Sequence, residues 1–253
     1  MMKALKGFAL PILFLVLWQA WAFLFGIHSD TLAAPADIVT AFLAGMEDGS
    51  ILEATRMTLV AAAGGLAIGG GLGIVTGFIF GLLPPLSRLS RVTVEVLRPV
   101  PAVAILPIAL LVFGFGYAME MAIIAFACFF PVMLLTEGAI RQITPRLMEV
   151  ARVMRLSSVQ RTSKIVLPAV LPRMFVAMRL AAGIALIVSV TVEIAANPQG
   201  LGYRLMLAGQ SLRPADMFAT LFWVGAIGWT LNWALVRTEK KLFPFHSLRR
   251  IEE

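Results

Sequence analysis

RQITPRLMEVARVMRLSSVQRTSKIVLPAVLPR, residues 141–173, is a basic, helix-patterned interval in a 253-residue chain that is 60% apolar. Thr144 before Pro145 predicts a helix start. A threonine suits the N-cap, and proline at the first helical position gives up only an amide that has no partner. Ile143, Leu147, Val150 and Met154 recur at the spacing of one apolar stripe, while Arg141, Glu149, Arg152 and Arg155 fall towards the opposite face. Ser157 with Gln160 three residues on forms a capping box, which predicts a second short helix from Ser158 to near Leu167, ending before Pro168. Two helices meeting at a turn, rich in arginine, read as a cytoplasmic docking surface on a membrane protein.

The rest of the chain supplies the membrane. Only 14% of its residues are charged and its mean hydropathy is +0.91. Uncharged runs reach the roughly 20 residues a bilayer crossing needs. Six spans are predicted: Phe8 to Gly26, Thr58 to Leu83, Pro99 to Gly116, Met121 to Thr136, Leu180 to Ala196 and Met217 to Val236. The expected fold class is all-α, a polytopic helical membrane protein forming one transmembrane domain over residues 1–253. Spans three and four are separated only by Gly114, Tyr117 and Glu120, so they form either a tight hairpin or a partly re-entrant pair. Lys3 and Lys6 before an apolar run have the look of a signal peptide, but Phe8 to Gly26 is longer than an ordinary signal core and no small-residue cleavage site follows. It is taken as retained.

With both termini inside, only Arg56, Arg204 and Arg213 of the 21 basic residues lie outside, which fixes the orientation by the excess of inner positive charge. The net charge of +7 is therefore topological, and no nucleic-acid partner is needed to explain it. Cys128 lies within a span without a partner cysteine, and His28 and His246 are far apart, so no disulfide and no metal site is expected. No GxxxxGK[ST], HExxH or GxSxG motif occurs, so the chain carries no sign of its own energy source or of a catalytic centre.

Glu149-Val150-Ala151, followed by Ile165-Val166-Leu167-Pro168 in a cytoplasmic loop before the penultimate span, resembles the EAA loop of permeases in binding-protein-dependent ABC importers. Ala34-Pro35-Ala36-Asp37-Ile38, Arg98-Pro99-Val100-Pro101, Phe113-Gly114-Phe115-Gly116, and Glu193 followed by Gly200-Leu201-Gly202-Tyr203 look like segments of the sulfonate, taurine and nitrate permease branch. The resemblance implies a type I importer permease fold. It also implies the translocation subunit of an ATP-driven importer for a small solute, an anion such as a sulfonate, taurine or nitrate, that itself makes and breaks no covalent bonds. ATP and Mg would be bound by a separate cytoplasmic ATPase, reached through Glu149, Val150, Ala151, Arg152, Arg155, Ser157, Ile165, Leu167 and Pro168. A periplasmic or extracellular substrate-binding protein and a second permease copy, giving a homodimer, complete the assembly. The implied location is the bacterial inner membrane. Arg155 stands where the family usually has glycine, and an arginine resists the positive φ that ends a helix cheaply.

Each feature has a plainer reading. A basic amphipathic helix beside a membrane can lie on anionic lipid, though Glu149 serves no purpose there. Gly65, Gly69, Gly73, Gly77 and Gly81 recur every fourth residue, a ridge where another backbone can approach closely, or else a bare wall along the solute path. Glu193 in span five is a gate or pathway residue, or an interfacial carboxylate reaching water or capping the Asn197 to Gly202 loop. Pro101 and Pro107, with Pro99, mark a broken helix along a pathway or merely prolines tolerated in a membrane helix. The alternative function is an ion-coupled secondary transporter or channel using Glu193 as its ion site. No inverted repeat supports it.

Overall fold

The computed structural model describes residues 2–24 and 32–244. Its helices are α1 (Met2–Leu24), α2 (Pro35–Glu47), α3 (Ser50–Leu82), α4 (Pro84–Leu97), α5 (Leu106–Phe113), α6 (Tyr117–Arg141), α7 (Pro145–Val153), α8 (Ser158–Arg161), α9 (Leu167–Ala195), α10 (Gly200–Gln210) and α11 (Pro214–Leu242). No strand occurs among the described residues. Four helical stretches among them are long and apolar enough to cross a membrane: Ser50–Leu82, Tyr117–Arg141, Ser158–Ala195 and Pro214–Leu242. The predicted first span lies on α1, with Phe25 and Gly26 outside the described residues, as are His28 and His246.

The predicted third span, Pro99 to Gly116, is not one continuous helix. α4 ends at Leu97, a 3-10 turn covers Ala102–Ile105, and α5 has eight residues. At about 1.5 Å per residue α5 covers roughly 12 Å, well short of a hydrocarbon core of about 30 Å. The segments before and after the break are bent by 82°, making a broken or re-entrant element. Pro99 and Pro101 fall in the break between α4 and the 3-10 turn, where each removes an amide donor that a continuing helix would need, and Pro107 sits in the first turn of α5, where the missing amide costs nothing.

The second correction lies at Pro168. The helix begun at Ser158 does not stop there but continues as α9 to Ala195, through Pro168 and Pro172. A π-turn over Thr162–Val166 makes this possible. Proline's ring would strike the carbonyl four residues back, and the wider turn moves that carbonyl aside.

The bundle is held where small residues let backbones meet. A side chain at Gly65 would lie 2.5 Å from Ile124 Cβ, at Gly73 2.7 Å from the Phe129 carbonyl oxygen, and at Gly81 2.7 Å from Ile140 Cβ. At Gly69 and Gly77 it would strike the backbones of Ala125 and Met133. All five glycines thus press α3 against α6, and Gly71 on another face meets nothing. In lipid, where apolar contact alone brings no gain, such close packing is what joins helices. Ala181 and Ala185 of α9 complete this core with Ala61, Ala62, Ile124, Cys128 and Val132. The opposite faces stay apolar and exposed, with Ile68, Leu72 and Val75 on α3 and Phe222, Trp229 and Trp233 on α11. A water-soluble fold does not leave faces like these uncovered.

Candidate functional site

The interval from residue 141 to 173 forms one end of the bundle. Pro145 opens α7 as predicted, but the Thr144 side chain makes no capping bond, and only its carbonyl joins the helix, accepting from Leu147 at 3.1 Å. The inward side of α7 is not the predicted stripe. Ala151 is buried, while Ile143 and Met148 pack on the core of Ala139, Ile140, Val166 and Val170. Leu147, Val150 and Met154 face outward beside Val153, which is 84% exposed. The stripe assumed that the helix buries its larger apolar residues on its own chain. The small Ala151 instead brings the backbone close and leaves those residues without cover.

Glu149, Arg152 and Arg155 are exposed and have no ion-pair partner among the described residues. Arg155 adopts φ +48, so the arginine does take the left-handed conformation. The Leu156 N–H donates to the Ala151 carbonyl at 3.0 Å and the Arg155 N–H to the Arg152 carbonyl at 2.9 Å, a complete Schellman ending. Ser157 and Gln160 form the predicted capping box at 3.3 and 3.1 Å. Ile165 is half-buried, Leu167 and Pro168 are exposed, and Val166 is the fully buried member of that run. Arg173 donates to Gln142 Oε1 at 3.0 Å and ties the two ends of the interval together.

Beside this end lies a cavity of about 730 Å³ between α4 and α6, lined by Arg88, Arg91, Arg98 and Arg141 over an apolar floor that includes Phe80, Val94 and Met133. Arg91 pairs with Glu95 at 2.8 Å and Arg141 with Glu137 at 2.6 Å. Arg88 and Arg98 have no ion pair among the described residues. Pro101 and Pro107 sit exposed at the α4–α5 break.

At the opposite end Glu193 is fully buried rather than water-facing, and its Oε2 accepts the Gly202 N–H at 2.7 Å. It therefore caps the start of α10, where Gly200 at φ +83 leaves room for the carboxyl that any side chain would displace. Sequence reasoning missed Glu120, fully buried in the first turn of α6. It accepts from Ser189 Oγ at 2.5 Å and Asn197 Nδ2 at 2.7 Å, and Asn197 Oδ1 accepts the Gly116 N–H at 3.0 Å. One acidic residue at the end of each of two apolar helices was the available signal. Among the described residues no group of three or more His, Cys, Asp or Glu is placed to hold a metal ion.

Residues 69–238 match the family described as Binding-protein-dependent transport system inner membrane component. The chain belongs to that family. It is a permease subunit of an ABC importer, which removes the ion-coupled alternative. A Bacillus subtilis (strain 168) permease named for aliphatic sulfonates transport is 30% identical over 243 residues, covering 96% of this chain and 88% of the relative. The taurine transport system permease protein of Escherichia coli (strain K12) is 27% identical over 175 residues, covering 69% of this chain and 64% of the relative. A bicarbonate transport system permease protein of Synechococcus elongatus is 28% identical over 247 residues, covering 91% and 87%. Among solved structures, a chain of the MetNI methionine ABC transporter in an inward-facing conformation superimposes with a TM-score of 0.62 at 20% identity, covering 76% of this chain and 93% of that one. That likeness bears on the fold.

Proposed function

We propose that this permease docks a cytoplasmic ATPase through residues 141–173 and imports a small anion. The observation that carries the docking reading is the unpartnered face of α7. Leu147, Val150, Val153 and Met154 are exposed and apolar, and Glu149, Arg152 and Arg155 surround them as unpaired charges, the composition of a patch made for a protein groove. Ile143 and Met148 pack on the cluster that contains Val166 and, on α9, Val170, so a push on α7 travels into a membrane helix. The partner holds ATP and Mg. This chain contributes no catalysis and only moves when the partner closes.

A substrate-loaded binding protein docks at the opposite end, and a second copy of the chain, surrounded by lipid, completes the pathway as a homodimer in a bacterial inner membrane with both termini cytoplasmic. The names of the relatives support an anion, since sulfonate, taurine and bicarbonate each carry an acidic group. Arg88 and Arg98, free of acidic partners in their cavity, support it from the chain's own residues. The test is co-purification with the ATPase from the same operon, with and without Val153→Asp, followed by uptake of labelled taurine, an alkanesulfonate and nitrate. Capture that survives loss of the α7 face overturns the docking site, and uptake of none of the three anions overturns the substrate class.

A further inference from the structure

α4 carries its polar face inward. Ser87, Arg88, Arg91, Glu95 and Arg98 share one side at helical spacing, and that side lines the cavity against α6. Leu86, Leu89, Val92 and Val96 are exposed on the other side, and no residue of the helix is buried. Ser87 Oγ donates to Glu137 Oε1 at 2.7 Å and accepts from Arg141 at 2.7 Å, which pins the start of α4 to α6. Beyond Leu97 the chain bends by 82° into the segment that carries α5, and Ala109 of α5 packs on Met119 and Ile123 of α6. A basic amphipathic helix turned out of line with its neighbouring segment, at the end of the bundle that carries residues 141–173, has the form of a helix lying at a membrane surface.

The cavity behind this helix has two kinds of wall. Arg91 and Arg141 are held by Glu95 and Glu137, whereas Arg88 and Arg98 are exposed and have no ion pair among the described residues. A guanidinium group holds an oxyanion through paired N–H donors. About 15 Å of helix separates the two free arginines, so they are two seats rather than one clamp. The floor is apolar, made by Phe80, Val94, Met133 and Leu134. A bare inorganic anion keeps its water and gains nothing from such a floor. The volume of about 730 Å³ lies in the range that takes organic ligands, about 300–1,000 Å³. A ligand with a charged head and an alkyl chain uses both walls.

We infer that the cavity between α4 and α6 binds an oxyanion that carries an alkyl chain, with its head on Arg88 or Arg98 and its chain on Phe80, Val94, Met133 and Leu134. Sulfonate and phosphodiester heads share this chemistry, so the ligand is a free alkanesulfonate or an anionic phospholipid. Bound there, it adds a second attachment of α4 to α6 beside the one at Ser87. The site does not depend on what the protein imports.

Two measurements on the purified full chain, neither of which involves uptake, test this. In nanodiscs of phosphatidylcholine, calorimetry with methane-, butane- and hexanesulfonate reads the free solute. Affinity is expected to rise roughly fourfold per added methylene, and the double variant Arg88→Gln, Arg98→Gln is expected to lose the binding. In nanodiscs containing phosphatidylglycerol, native mass spectrometry reads the lipid, which the parent is expected to retain and the double variant to lose. Both arginines are unpaired, so the variant keeps its fold, and Arg56→Gln near the other end of α3 is the control that changes neither reading. Arginine-dependent binding of the sulfonates makes the ligand a solute, and arginine-dependent retention of lipid makes it a phospholipid. The site is overturned if neither depends on Arg88 and Arg98. It is also overturned if nitrate and methanesulfonate bind there as tightly as hexanesulfonate, which leaves a plain anion site with no place for a chain.

Discussion

The backbone N–H of Leu156 donates to the Ala151 carbonyl at 3.0 Å, across an arginine, Arg155, held at φ +48. A non-glycine residue in that region costs about 1 kcal/mol or somewhat more, because Cβ crowds the carbonyl. The chain bears this cost at the tip of the loop between α7 and α8. Replacing Arg155 by glycine is therefore expected to stabilise the protein by about 1 kcal/mol, and replacing it by valine, whose branched side chain fits worse, to destabilise it. Thermal unfolding in detergent measures both, and an unchanged midpoint for the glycine variant would show that the turn is not strained.

Much of this was legible in the sequence, and the reasons for the rest are specific. Capping signals act locally, so Ser157 with Gln160 and the start at Pro145 were read from a few residues. The glycine spacing gave the face of α3 but not its partner, which only the fold identifies as α6. Pro168 was read as a stop because sequence rules assume an α-turn, and the π-turn before it is a three-dimensional solution. The outward apolar face of α7 was misread because periodicity locates a stripe without saying which chain covers it. Glu120 was passed over because a carboxylate between two spans looks solvated until α9 and the 196–199 segment close over it.

Gly73→Leu is expected to impair assembly or expression far more than Gly71→Leu. A side chain at Gly73 would sit 2.7 Å from the Phe129 carbonyl oxygen and 3.0 Å from Val132 Cβ, whereas Gly71 faces open space. Backbone cannot yield as a side-chain tip can, so α3 and α6 must separate. Yield of folded membrane-inserted protein, compared for the two variants, decides it. Equal tolerance would remove the ridge from the packing of the bundle.

Single cysteines at Asp48 and Ser211 are expected to react with an impermeant thiol reagent added to intact cells, and one at Ser158 is expected not to. All but three of the basic residues follow the inner side in this orientation, and the native Cys128 is fully buried and so adds no background. Labelling at Ser158 from outside would invert the protein and move the docking loop to the wrong side of the membrane.

The proposed docking face yields the sharpest mutational contrast. Val153 is 84% exposed, so Val153→Asp costs the isolated chain little, yet in a partner's groove it buries a charge against apolar contacts. Arg155→Glu reverses a charge that has no partner within the described chain. On the surface of a free loop such a reversal is worth about 1 kcal/mol or less, but inside a desolvated groove it costs several kcal/mol. Both variants are expected to fold, insert and melt like the parent while losing most solute-stimulated ATP hydrolysis in the reconstituted complex, and Arg155→Gly is expected to retain much of it. The three are read side by side in one assay. Parent-level stimulation in both Val153→Asp and Arg155→Glu would leave α7 lying against lipid or water, and the face that carries Glu149, Arg152 and Arg155 would lose its claim on the ATPase.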